Sequence, residues 1–329
     1  MSEVEIAIIG GGIAGLATAV ALHTLGHKAH IFESAPAFQP LGTSLSLWPN
    51  AVACLSDWGL DKTLTDLGAP IDQIAWRQPD GRPYFIQPLA EIHAELGHQG
   101  ICIRRSDLHA TLMDAIAPDQ LHAGHELTQF QDTGDAVKLH FANRKTATAK
   151  HVIAADGINS KIRKEIFNDG PPTYCGYGAW LGLSSAPSPT PVFNECCEFI
   201  GKDGRFGVLE TGNDTRYWFF IANQETPSTS ASLTDTKAVL NLISHWPAPF
   251  QDLVENTEPS KVTKVAFYDR KVARNWGAGN ITLIGDAIHP FLPNLGQGAC
   301  QAIEDAHLIA KGIYDGKTGP DLTKWFTQS

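Results

Sequence analysis

Three observations predict an α/β protein with a Rossmann-type unit at its N-terminus. Residues 5–9 read as a short buried strand, residues 13–25 as a helix with Ala14, Ala17 and Ala21 recurring on one side, and residues 28–32 as a second strand. Gly26 stops the helix, so the order is strand, helix, strand. Between the first strand and the helix lies Gly10-Gly11-Gly12-Ile13-Ala14-Gly15, a GxGxxG at the point where such units hold a pyrophosphate.

Each glycine of that run has its own task. Gly10 permits the tight turn, Gly12 lets the backbone approach a phosphate, and Gly15 lets the helix lie close to the sheet. The phosphate charge would meet unpaired N–H groups and the positive end of the helix dipole. Glu33 closes the second strand where a carboxylate can accept hydrogen bonds from adenosine ribose hydroxyls. This fingerprint serves FAD and NAD alike.

Further along, helical patterns recur over 51–67 and 106–116, strands over 137–141 and 151–155, and a helix over 160–167. From 173 to 267 short β-rich runs such as 205–209 and 216–221 alternate with Gly, Asn, Asp and Pro turns, which predicts a mostly β region. Residues 176–182 carry Gly176, Gly178 and Gly182 but follow Pro171-Pro172 and lack a following helix, so they read as strand and turn. A strand at 281–284, a glycine-rich loop and a helix over 298–313 restore the α/β texture. The expected layout is one domain from discontinuous segments 1–75, 101–170 and 269–329, and a second from 76–100 and 171–268. Residues 187–191 are a turn-rich linker, and no internal repeat is present.

Composition narrows the function. A chain of 329 residues with 43% hydrophobic content buries a large core, and a net charge of -10, from 35 acidic against 25 basic residues, argues against a nucleic-acid partner. Six cysteines without a CxxC pair fit a reducing compartment better than a disulfide framework. Residues 6–22 are largely apolar, but the flank Ser2-Glu3-Val4-Glu5 is acidic and His23 interrupts the run before a membrane span is reached. A cytoplasmic protein without membrane contact is expected. His23, His27 and His30 have no cysteine or carboxylate to complete a metal set, and no GxSxG marks a serine hydrolase.

Two further motifs sit beside the first. Ala154-Ala155-Asp156-Gly157-Ile158-Asn159-Ser160 leads to Arg163, with Asp156 or Ser160 also readable as a helix cap. Gly285-Asp286-Ala287-Ile288-His289-Pro290 is followed by Pro293-Asn294-Leu295-Gly296-Gln297-Gly298 and Glu304-Asp305; read locally, Asp286 is a turn residue and Pro293 a loop stiffener. Over essentially the whole chain, the three motifs resemble the group A flavoprotein monooxygenases. These are the single-component aromatic hydroxylases that include salicylate, p-hydroxybenzoate and FAD-dependent urate hydroxylases.

The resemblance implies a p-hydroxybenzoate hydroxylase-like fold, noncovalent FAD, and NAD(P)H as a transient co-substrate. It also implies O2-dependent hydroxylation of an aromatic or heteroaromatic small molecule through a flavin C4a-hydroperoxide. Gly10, Gly12, Gly15 and Glu33 would hold the ADP half of FAD. Arg105, in a run with Leu108 and Leu112, would contact FAD; Asp156 and Gly157 would serve FAD and the passing nicotinamide, with Arg163 completing the pattern. Asp286 would meet the ribityl chain and Pro293 the flavin ring, while Gly296, Gln297 and Gly298 would bring N–H groups and a helix N-terminus to the flavin N1 and C2 carbonyl. Fixed amides there stabilise the negative charge of reduced flavin.

Trp48-Pro49-Asn50, residues 174–177, Arg205-Phe206-Gly207 and residues 216–219 are most similar to the urate and salicylate hydroxylase branch. Arg205 is either a pocket arginine or a surface charge at a sheet edge. Trp218 and Phe220 project from one strand face, Tyr217 and Phe219 from the other, so one pair lines core and the other a ring pocket. Trp218 is assigned with Arg205 and Pro293 to the substrate side. Relatives of this kind continue into a long C-terminal helix, whereas the helix at 320–326 ends here near Ser329. The competing functions are a flavin-dependent reductase or oxidase, a flavin halogenase, whose Trp-x-Trp-x-Ile-Pro signature is absent, and a nonenzymatic FAD-binding scaffold.

Overall fold

The computed structural model describes residues 2–39, 42–189, 193–228 and 233–329. Ser2–Ile9 forms a central strand of an eight-stranded sheet, flanked in parallel by Ala29–Phe32 and Thr146–Ala154. Thr146–Ala154 pairs in turn with Ile281–Leu283, so segments from both ends of the chain share one sheet. A parallel strand covered on both faces needs apolar residues at every position, and Ile6, Ala7, Ile8 and Ile9 are all buried. Ile6, Ile8 and Ile31 pack under the helices Ile13–Thr24, Arg105–Asp114 and Gly298–Tyr314. Ala7, Ile9 and Phe32 face the opposite layer, where the antiparallel ribbon of Leu127–Asp132 and Val137–Phe141 supplies Leu127, Val137 and Leu139.

The second sheet has seven strands in the order Thr263–Asp269, Thr173–Ser184, Arg216–Asn223, Arg205–Glu210, Glu195–Ile200, Gln73–Arg77, Pro83–Pro88. Gln73–Arg77, read from sequence with the first α/β stretch, runs parallel to Glu195–Ile200 in this sheet. A three-stranded sheet of Ser44–Leu47, Ile101–Arg104 and Ala69–Pro70 completes the β structure of the described residues.

Two elements differ from the sequence reading. The helix expected over 51–67 is two helices, Pro49–Asp57 and Asp61–Leu67, parted at Gly59 with φ +74°. The region expected to be mostly β also holds the helices Leu233–Leu242 and Ala248–Glu255. Their buried residues Val239, Phe250, Leu253 and Val254, with Ile243 and Trp246 of the turn between them, pack in one core with the seven-stranded sheet and cover one of its faces. Within the expected linker, 187–189 are irregular and 190–191 lie outside the described residues. Gly319–Gln328 is helical and sends Leu322 and Phe326 into the first core.

His151 in Thr146–Ala154 makes the first sheet pH-sensitive. Its Nε2 meets Thr282 Oγ1 at 3.2 Å, and its buried Nδ1 has no partner. Burial, opposed in part by Asp132, pushes its pKa from 6.5 down to about 4. The folded state therefore favours the neutral ring. Its stabilising effect is complete above pH 6.5 and is lost as pH falls through about 4. The loss is about 3 kcal/mol on the linkage relation. Urea unfolding between pH 7 and about 4 should show that slope, and His151→Leu should flatten it; an equal slope in the variant would refute the assignment.

Candidate active site

Gly12 is the N-cap of Ile13–Thr24, with no side-chain capping bond and no acidic residue in the first turn. The first N–H groups of a helix have no intrahelical partners, so this end is free to take an anion. A Cβ on Gly12 would meet nothing within 4 Å, whereas one on Gly10, at φ +110°, would overlap the Ala155 carbonyl oxygen. One on Gly15 would overlap the Gly10 carbonyl oxygen. Glu33 Oε2 accepts the Gly11 N–H at 2.7 Å and Oε1 the Ala35 N–H at 2.7 Å, which stretches the carboxylate across the turn.

Gly10, Gly12 and Glu33 border a cleft of about 570 Å³ that is also lined by Phe32, His125, Asp156 and Gly157. Asp156 Oδ2 accepts the Lys161 N–H at 3.0 Å, while its buried Oδ1 has no partner; burial raises its pKa against the bonds from Ser160 and the backbone. Ser160 caps Lys161–Phe167, its Oγ accepting the Arg163 N–H at 2.9 Å. The cap reading of this motif is realised in both residues, since Asp156 Oδ2 accepts the Lys161 and Ile162 N–H groups and Ser160 Oγ that of Arg163, and Asp156 keeps Oδ1 to spare. Arg163 is buried and spent on Asp169 Oδ2 (2.6 Å) and the carbonyls of Ile288 (2.6 Å) and Lys271 (2.7 Å), so it ties loops together and does not line the cleft.

Gly12, Ala155 and Gly157 are shared with a second chamber of about 500 Å³. Arg105, Asp286, Pro293, Gly296 and Gly298 form one side of it. The Asp286 carboxylate opens on the chamber although it lies deep in the molecule; burial raises its pKa, and Arg105 and His289 pull it back. Burial lowers the pKa of Arg105, Asp286 opposes this, and the guanidinium makes no hydrogen bond to a described residue. Gly298–Tyr314 begins with no side-chain capping bond and no acid in its first turn, a second free helix N-terminus. Gln297 does not line the chamber, because its Oε1 accepts from Asn50 Nδ2 at 3.2 Å.

His289 and Asp305, visible in the sequence only as letters within motifs, brace this side. His289 Nε2 lies 2.6 Å from Asp305 Oδ2, which also accepts the Gly285 N–H at 2.7 Å. Burial opposes charge on the imidazole, but the Asp305 pair outweighs it and the pKa is raised. The turn that presents Asp286 is thereby pinned to the helix behind it.

The other side is the free face of the seven-stranded sheet. Side chains alternate along Arg216–Asn223, so Tyr217, Phe219 and Ile221 line the chamber. Trp218 and Phe220 are 0% exposed in the opposite core, and Trp218 Nε1 donates to Thr257 Oγ1 at 2.8 Å. The placement of Trp218 on the substrate side is corrected: the indole packs under the helices, where burial of its ring and one satisfied N–H is favourable. Arg205 does line the chamber, with Nη1 2.8 Å from Glu198 Oε2 and Nη2 2.8 Å from Asn294 Oδ1. Glu198 and Cys196 line it as well, and neither was legible before strand pairing was known.

An uncapped helix end beside a glycine turn that opens into an aromatic-walled chamber, within a p-hydroxybenzoate hydroxylase-like fold, points to a dinucleotide-dependent oxidoreductase. The family model described as FAD binding domain matches residues 3–323, and the chain belongs to that family. It is 33% identical over 307 residues to the aurachin C monooxygenase/isomerase of Stigmatella aurantiaca, covering 93% of this chain and 79% of that protein. It is 32% identical over 323 residues to the 3-amino-4-hydroxybenzoate 2-monooxygenase of Streptomyces cremeus, covering 96% and 80%. The crystal structure of Klebsiella pneumoniae HpxO complexed with FAD and uric acid is similar at a TM-score of 0.91 and 25% identity, over 98% of this chain and 83% of that one. The protein is an FAD-dependent monooxygenase of the group A type. Among the described residues no helix is long and apolar enough to cross a membrane, and no cluster of metal-ligating side chains is found.

Proposed function

We propose that this enzyme hydroxylates an electron-rich aromatic or heteroaromatic small molecule held between the flavin and the aromatic sheet face, with NAD(P)H and O2 as co-substrates. The continuity of the two chambers through Gly12, Ala155 and Gly157 carries the reading, because one elongated cofactor can lie across both. The residues fit FAD chemically. Gly10, Gly12, Gly15 and Glu33 suit its ADP half; among the described residues Asp156 has an unpaired oxygen and Arg105 an unpaired guanidinium, and Asp286 has a carboxylate, for the linking hydroxyls and phosphates. Gly157 leaves open space, and Gly296 and Gly298, with Gln297 holding the loop through Asn50, offer N–H groups beside Pro293 for the ring. When bound, FAD supplies hydride acceptance from NAD(P)H and the activation of O2.

The protein's part is to orient the ring of the substrate, exclude water under Phe219 and Tyr217, and keep donors fixed around the reacting atoms. Residues 1–75, 101–170 and 269–329 then act as the FAD-binding part and 76–100 with 171–268 as the substrate part, apart from Gln73–Arg77, which adds to the second sheet. Six free thiols suit a cytoplasmic setting. Oxygen uptake and NAD(P)H consumption, followed with a panel of phenols, aromatic acids and purines, test the activity. Label from O2 in the product is expected; label from water, or NAD(P)H oxidation that yields only peroxide with every compound, would overturn the reading in favour of an oxidase or reductase. Asp286→Ala should lower FAD affinity by about 1.5 to 3 kcal/mol, the value of a charge-assisted hydrogen bond. Unchanged affinity in an equilibrium titration would remove Asp286 from the cofactor set.

A further inference from the structure

We infer that the substrate is an aromatic alcohol or amine without a carboxylate, carrying an apolar substituent that leaves the chamber beside Trp76. This rests on the hydroxylase reading above and specifies its substrate class. Arg205 is the cation of the sheet-side chamber, and it is already engaged by Glu198 Oε2 and Asn294 Oδ1, each at 2.8 Å. With Arg105 on the opposite wall and assigned to the cofactor, a carboxylate placed on the sheet side would meet no free cation there and would lie against the Glu198 carboxylate. A hydroxyl or amine is matched instead. Glu198 Oε1 makes no hydrogen bond to a described residue and can accept one.

The apolar end follows from the edge of the sheet. Ile74 and Trp76 lie two residues apart on Gln73–Arg77 and both line the chamber. Trp76 pairs across strands with Phe85, ring centroids 5.4 Å apart, and the two are 38% and 46% exposed. An apolar wall thus runs unbroken from the chamber to the surface. Exposed aromatic rings continuous with a cavity favour an occupant that covers them.

The test uses the FAD-loaded protein and perturbation of the flavin absorbance by phenol, 4-butylphenol and 4-hydroxybenzoate, so binding is read apart from turnover. 4-Butylphenol is expected to bind at least about tenfold more tightly than either of the others. Trp76→Ser should cut its advantage over phenol to about threefold or less while phenol binding holds. Glu198→Gln should free Arg205 and raise 4-hydroxybenzoate affinity by about tenfold or more; Glu198→Ala repeats the test if the glutamine variant does not fold. Equal wild-type binding of the acid and the alkylphenol, no gain in either Glu198 variant, or no response to any probe would overturn the inference. If the alkylphenol binds as expected but is never hydroxylated, the selectivity stands and the proposed reaction fails.

Discussion

Gly15→Ala is expected to yield colourless protein whose FAD affinity is at least about 100-fold lower, equivalent to roughly 2.7 kcal/mol. The added Cβ would overlap the Gly10 carbonyl oxygen, and Gly10 has no room to retreat because its own neighbour is the Ala155 carbonyl. Relief requires Ile13–Thr24 to lift from Ser2–Ile9. That helix is buried along residues 15–22, so lifting it disturbs packing and carries its N-terminal N–H groups away from the phosphate position. Overpacking of this kind costs about 1 to 3 kcal/mol before any loss of ligand contact. Flavin absorbance relative to protein on purification, followed by an equilibrium FAD titration, gives the result. Gly12→Ala separates the causes: its Cβ meets no protein atom, so thermal stability should hold while FAD affinity falls. A yellow, fully loaded Gly15→Ala protein would show that the close helix–sheet approach is unnecessary.

Gly207→Ala is expected to spare FAD and weaken substrate binding. Gly207 is paired directly with Phe219, and a Cβ at 207 would coincide with the Phe219 ring, which lies over the glycine as it lines the chamber. The ring has to swing into the space the substrate needs. The expected outcome is a rise in KM of about tenfold or more with retained flavin, since a displaced aromatic ring forfeits about 1.4 kcal/mol or more of contact. Gly182→Ala is the comparison on the other face, where the new Cβ would press on the Trp218 ring. It should lower stability by about 1 to 3 kcal/mol and leave KM near its original value. A matching KM rise in both variants would mean that the two faces of the sheet are not functionally distinct.

The contrast between Gly207 and Gly182 also marks how far the sequence could be read. Alternation along 216–221 separated Tyr217 and Phe219 from Trp218 and Phe220, yet it did not tell which pair met solvent space and which met helices. The answer depended on the helices Leu233–Leu242 and Ala248–Glu255 covering the Trp218 face. Their helical spacing was present in the sequence but lay within a stretch dominated by turns and short strands. Arg205 posed a similar choice between pocket and surface, and only the Glu198 and Asn294 contacts, from residues 7 and 89 positions away, placed it. Gln297 belonged to the flavin-loop motif, but its side chain is turned to Asn50.

What the sequence by itself determined was local: the strand–turn–helix at residues 5–25, the separate tasks of Gly10, Gly12 and Gly15, the carboxylate at 33, and the motifs around Asp156 and Asp286. These follow from φ, helix ends and period, which depend on neighbours within a few residues. Only the tertiary structure decided which sheet Gln73–Arg77 joins, which face of Arg216–Asn223 meets the chamber, and that Glu198 holds Arg205. Each of these is a pairing between segments distant in sequence, set by register and by what packs on the far side. A one-residue shift would exchange the two faces of a strand, and no period within the strand itself reveals which face the rest of the chain will cover.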